Sequence, residues 1–196
     1  MKINIFGIIV IIFITIIIFK IYQESDMFQL KCIVSDIDGN KYCVRERAKL
    51  ELVADLLAKV TNNMKALVLH MKKTYPDRKN VQRLVSNFNP KKIYETLPTS
   101  SYTAYSENKG EKLAFCTTTT KEGNKLIDEN TLTFVALHEL AHVMTKSIGH
   151  TDEFWENFRY LLEHAENIQI YHPIDYKKNP QEYCGMTIND NPYFDI

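Results

Sequence analysis

Residues 3 to 19 read INIFGIIVIIFITIIIF, seventeen positions without a charge, bracketed by Lys2 and Lys20. A run of that length and apolarity reaches the short end of what crosses a bilayer as a helix. It sets residues 1–22 apart as an N-terminal transmembrane anchor. A cleaved signal peptide is the alternative reading, but the run exceeds the usual apolar core of such peptides, and no small-x-small cleavage site follows in KIYQESDMF. One lysine lies on each side and the next base is Lys31, so the positive-inside rule leaves open which side of the membrane carries the rest of the chain.

Residues 23–196 are enough for one domain with a real core and too few for two. The 24 basic and 24 acidic side chains balance, so no basic stripe supports a nucleic-acid partner and none is expected. The partners implied are the membrane and a protein or peptide. Cys32, Cys43, Cys116 and Cys184 form no C-x-x-C pair. Cys32 and Cys43 flank a hairpin, KCIVSDIDGNKYCV, for which Asp38-Gly39 predicts a two-residue turn. That register places Val34 opposite Cys43 and leaves Cys32 on a long diagonal, so buried free thiols are the expectation. The chain has no N-x-S/T sequon, which weighs against a glycosylated luminal domain.

The periodicity beyond the first hairpin predicts a scaffold helix over residues 46 to 74, with Leu50, Val53, Leu57, Val60, Met64, Leu67 and Met71 at three- and four-residue steps, ending before Pro76. A shorter helix is expected over DRKNVQRLVSNF, stopped by Asn89-Pro90. SYTAYSENKGEKLAFCTTTT reads as a second hairpin turning at Asn108-Lys109-Gly110. No internal repeat or low-complexity linker interrupts this order. One α+β domain behind a membrane anchor is the resulting description.

From Thr131 to Lys146 the spacing is again helical, and Leu132, Val135, Leu137, Leu140, Ala141 and Met144 leave almost no polar face, so this helix should run through the core. Polar groups there need a reason. His138 and His142 are four apart, which stacks them on one side of the helix, and Glu139 directly follows the first. This is H-E-x-x-H: two imidazoles able to share one metal, and a carboxylate able to reach a water on it. Two satisfied core histidines would be the bland account, against which stands the placing of the match in a strong helix after a strand-like hairpin.

A catalytic zinc takes three protein ligands and keeps a fourth position for water. His150 is the first candidate for the third. It follows Gly149, a helix terminator, and precedes Thr151, which caps a helix opening with Asp152 and Glu153. Glu163, 21 residues after His142, is the alternative third ligand; Glu156, 14 after it, reads as a surface charge. The metzincin pattern is excluded because Thr145 and Ile148 stand where it needs Gly and His.

HELAHVMTKSIGHTDEFW resembles the WLM and SprT-like zinc metallopeptidases, in which an H-E-L-x-H helix is followed by a third histidine, a small polar residue and an F-W or F-Y pair. The likeness is closest in HELAH and HTDEFW, and the seven residues between His142 and His150 form a longer connection than is typical. YTAYSENKGEKLAFC and NPQEYCGMTINDNPYF also look like uncharacterised members carried by large eukaryotic DNA viruses, and the likeness spans about residues 90 to 190. It implies a zincin-like domain: a small mixed or antiparallel sheet packed on the H-E-x-x-H helix and supporting helices. It further implies Zn2+ on His138, His142 and His150, and Glu139 as general base. The DNA-protein crosslink repair role of some relatives does not carry over to a neutral, membrane-anchored chain.

The chemistry so implied is metal-assisted amide hydrolysis, with Glu139 passing the proton of a water to the leaving amine. The stretch Lys112 to Thr118 is a candidate ledge for an extended substrate. Tyr183 is the candidate oxyanion donor, ahead of Tyr176 and Tyr171, although an ordinary tyrosine role suits each better. His70, His164 and His172 have no matching spacing and read as structural. The competing functional reading is a zinc-binding domain without activity, serving as a tethered interaction module; the third is a structural membrane protein with an accidental motif.

Overall fold

The computed structural model describes residues 4–24, 30–47 and 49–195. Lys2 and Ile3 of the apolar run, and residues 25–29 at the start of the second segment, lie outside them. Helix α1, Ile5–Glu24, is 20 residues long, about 30 Å at the usual rise. Its window Ile5–Tyr22 has a mean hydropathy of 2.8 and 0% of it is buried. Length and composition suffice to cross a bilayer, a test that an N-terminal signal sequence passes as well.

The remaining residues build a mixed α+β domain. Strands β1 (Leu30–Val34), β2 (Lys41–Arg45), β3 (Ile93–Glu95), β4 (Ala104–Glu107) and β5 (Lys112–Phe115) form a five-stranded sheet in the order β1-β2-β3-β5-β4. The hairpins β1-β2 and β4-β5 are antiparallel, while β3 runs parallel to both of its neighbours. Helices α2 (Leu50–Thr74), α3 (Lys79–Asn87), α4 (Glu129–Met144) and α5 (Asp152–Asn167) follow, and a small hairpin, β6 (Gln181–Tyr183) and β7 (Met186–Ile188), closes the order before a short 3-10 turn at Pro192–Phe194. The buried face of α2 is the expected stripe, Val53, Leu57, Val60, Met64, Leu67 and Met71, all fully buried. It packs on β1, β2 and β3 and also on α4, so α4 lies within the core, between α2, α3, α5 and β4.

Three expectations change. The long helix starts at Leu50 rather than at residue 46, with Lys49 in a left-handed conformation (φ 77°) directly before it. The first hairpin closes through a six-residue loop, residues 35–40, not a two-residue turn, so Cys32 stands directly opposite Cys43 and the two form a disulfide. The physical reason is the side-chain bonding of the loop. Asp55 on α2 accepts from Ser35 Oγ (2.5 Å) and Asp36 N (3.0 Å), and Asp38 accepts from Asn40 N and Tyr42 Oη. These bonds hold a wider loop than Asp-Gly alone would choose. Cys116 and Cys184 are also joined, with Cα atoms 6.0 Å apart, so the expectation of free thiols is overturned and none of the described cysteines is free.

Candidate metal centre

Helix α4 begins where the Asp128 carboxylate accepts from Thr131 N at 2.9 Å, a side-chain cap on an orphan donor. Its apolar positions run all round, and Leu132, Ala136, Leu137, Leu140, Ala141, Val143 and Met144 are fully buried. The helix is held by packing on every side rather than by one stripe. His138 and His142 point the same way one turn apart, with ring centroids 5.0 Å from each other. Glu139 is 5% exposed.

The third histidine depends on the turn after α4. Lys109, at the tip of the β4-β5 hairpin, donates from Nζ to the carbonyls of His142 (3.4 Å), Thr145 (3.0 Å) and Ser147 (2.6 Å). A cation thereby meets the unpaired carbonyls and the negative end of the helix dipole. The tip can approach because residue 110 is glycine. At its φ of +115° a Cβ would stand 2.8 Å from Asn87 O and 2.9 Å from Val143 Cγ1. Arg83 Nη1 donates to Met144 O at 2.6 Å. Glu153 on α5 accepts from Lys146 N, Ser147 N and Ser147 Oγ, bonds that hold its carboxyl below the usual carboxylate range. Gly149 turns the chain at φ 85°, and His150 arrives with Nε2 3.1 Å from His138 Nε2.

The ligand atoms of His138, His142 and His150 all lie within 4.8 Å of one another, a group that could hold a metal ion. Two imidazole nitrogens on one tetrahedral zinc stand about 3.3 Å apart for bonds of about 2.0 to 2.1 Å, so the observed separation suits a shared ion. The two histidines on α4 are also kept in the right protonation state. Burial first, then His142 and His150, pushes His138 down to about 3. Burial, then His150 and Lys109, pushes His142 down to about 4. Both imidazoles are therefore neutral and free to coordinate at neutral pH. The Phe154 ring supplies much of the apolar surroundings, lying 4.8, 4.3 and 4.7 Å from the rings of His138, His142 and His150. Burial alone pushes Glu139 up to about 8; a bound cation beside it would favour its ionised form.

The other candidates sort by position. Glu163 is not in the group: it bonds Arg159 Nε at 3.1 Å on the exposed side of α5, because its step from Phe154 and Phe158 turns it off the buried stripe. Glu156 is exposed as expected. Tyr183 is fully enclosed; burial and then the charge of Glu139 raise its phenol, which sets it beside the site, but its hydroxyl already donates to Thr103 O at 3.1 Å. Tyr171 and Tyr176 pack on Phe134 in the core. His70 and His164 contact each other, with centroids 5.4 Å apart, and His172 exchanges backbone bonds with Asn130. The ledge expectation fails: β5 is paired on both sides, and its continuation bonds Thr103, Lys125, Ile127, Cys184 and Gly185. The edge strands of the sheet are β1 and β4, and β4 packs against α4. Sequence reasoning missed Lys109 and the Cys184 tether, and only the Asn-Lys-Gly tip and the four cysteines themselves hinted at them.

Over 161 residues the chain is 30% identical to an uncharacterised protein of Acanthamoeba polyphaga mimivirus, covering 80% of this chain and 81% of that one. It is 36% identical over 75 residues to an uncharacterised protein of Invertebrate iridescent virus 6, covering 38% and 41%. A third relative, from Invertebrate iridescent virus 3 and also uncharacterised, is 39% identical over 83 residues, covering 42% and 50%. No protein-family model and no solved structure matches the chain.

Proposed function

The chain belongs to the family of the mimivirus protein, and we propose that it is a membrane-anchored, zinc-dependent metallopeptidase with a zincin-like domain, akin to the WLM and SprT-like enzymes. The observation that carries this reading is the convergence of His138, His142 and His150 next to a carboxylate, Glu139, that the fold keeps almost entirely from solvent. His138, His142 and His150 would hold zinc, which supplies Lewis-acid polarisation of a carbonyl and lowers the pKa of a bound water towards about 7.

Glu139 is the general base in this scheme. It takes the proton of the attacking water and delivers it to the departing amine, and its exclusion from solvent keeps that proton from exchanging with bulk water. An extended substrate would lie along β4, an edge strand of the sheet packed on α4, so that its scissile bond passes α4. Lys109, Arg83 and Glu153 hold the turn that carries His150 and act as positioning residues.

The test is cleavage of a peptide library by the zinc-loaded protein beside its Glu139→Gln variant. Cleavage by the wild type alone supports the reading. One tightly bound zinc with no cleavage by either would assign the domain to tethered binding instead.

A further inference from the structure

Ile148, 88% exposed, is the most exposed large hydrophobic side chain described in residues 30–195, and Trp155, 43% exposed, is the chain's single tryptophan. Both stand close to His150, the most exposed of the three clustered histidines. Ile148 is two residues before it, in a turn closed by the bond between Ser147 Oγ and Thr151 Oγ1 at 2.7 Å. Trp155 lies in the first turns of α5, with its ring centroid 5.6 Å from that of His150 and 5.2 Å from that of Phe154. One side of the indole is thus fixed on the aromatic shell of the cluster and the other is open. Scattered apolar side chains need no explanation on a surface, but these two lie beside the most exposed of the three clustered histidines.

Resting on the peptidase reading, we propose that Trp155 and Ile148 form the wall of a subsite that takes a bulky apolar side chain next to the cleaved bond. The substrate class is then peptide segments with Leu, Ile, Met or Phe at that position. A peptide held at the three histidines brings its neighbouring side chain against the open indole face, where burial of aliphatic or aromatic surface discriminates by 10- to 200-fold per methylene-sized difference at most, on the order of what an open pocket achieves. The surroundings favour a peptide over a lipid surface. Asp152 and Glu156 are exposed beside Trp155 and Lys146 beside Ile148, and Arg159, the nearest base on the helix, is paired with Glu163, so the patch has no basic cluster to hold an anionic bilayer.

The zinc-loaded full chain in detergent micelles tests this without any cleavage step. Leucine hydroxamate and glycine hydroxamate share a metal-binding group and an α-amine and differ only in the side chain, and isothermal titration calorimetry reads their binding to the wild type and to each variant. The expected result is about 10-fold tighter binding of the leucine compound, with the preference lost in Ile148→Ser, whose exposed position leaves folding alone, and in Trp155→Ala where zinc content is retained. Equal affinities, no binding of either compound, or a preference that survives both substitutions would overturn the proposal. So would a blue shift of Trp155 when the inhibitor-free protein moves from micelles into phosphatidylcholine vesicles, which would put the wall in lipid. Library cleavage judges the peptidase reading separately: cleavage without an apolar preference removes only the subsite, and a hydroxamate preference without cleavage removes only the peptidase.

Discussion

His150 Nε2 lies 3.1 Å from His138 Nε2 although the two residues belong to different segments, one on α4 and one in the turn beyond it. Depending on tautomer, one of these nitrogens can donate a hydrogen bond to the other, whereas a cation between them would take a lone pair from both. Each of His138→Ala, His142→Ala and His150→Ala should therefore cut zinc retained after dialysis from about one per chain to a small fraction. Glu163→Ala should keep it. Metal analysis of the four variants decides between a three-histidine site and one completed by Glu163.

The buried carboxyl of Glu139 gives a pH test. Its folded-state value of about 8 exceeds the ordinary 4.5, so the folded protein holds a proton that the unfolded chain releases. The stability this contributes is fully present below pH 4.5 and is lost as pH rises to about 8. Metal-free Glu139→Gln has no such group. Urea melts of the two metal-free proteins should agree near pH 4 and diverge by pH 8, with the variant the more stable. Curves that stay parallel would mean that the carboxyl is better solvated than its position indicates.

At the hairpin tip, Lys109→Met removes three donor bonds to the carbonyls at the end of α4. A stability loss of about 1 to 2 kcal/mol and metal affinity weakened about 10-fold are expected, read by thermal melts and metal titration. Gly110→Ala should cost about 2 kcal/mol or more, since the added carbon meets Asn87 O and Val143. If Lys109→Met lowers stability without touching affinity, the tip supports the helix but not the ligand geometry.

The two disulfides should differ in worth. Cys116–Cys184 closes a separation of 68 residues and Cys32–Cys43 one of 11. Chain-entropy reasoning assigns about 4 kcal/mol to the first and about 3 kcal/mol to the second. Cys184→Ser should lower the unfolding midpoint more than Cys32→Ser does. The reverse order would show that loop length does not govern their contributions.

Much of this was readable from local pattern. The helical steps of α2, the Asn-Lys-Gly hairpin and the H-E-x-x-H of α4 follow from spacing within a few turns, and His150 followed from ligand count plus a glycine that ends a helix. What could not be read depends on contacts across long separations. The pairing of Cys32 with Cys43 required knowing that Asp55, on α2, would widen the loop. The internal position of β5 required the parallel partner β3, from a segment whose three-residue strand carries almost no periodic signal. Tyr183 meets Thr103 O only because the tail folds back beside Thr118, where Cys184 N bonds the Thr118 carbonyl at 2.9 Å.

That fold-back has a bearing on biosynthesis. A ribosome delivers α1 before the three histidines, which are complete by residue 150, yet the tail with Tyr183, whose phenol the charge of Glu139 raises, comes later and is fastened through Cys184. The apolar helix α1 is therefore complete long before the tail that carries Tyr183 is made. Order of synthesis alone would bring the three histidines together before the tail that Cys184 fastens is in place.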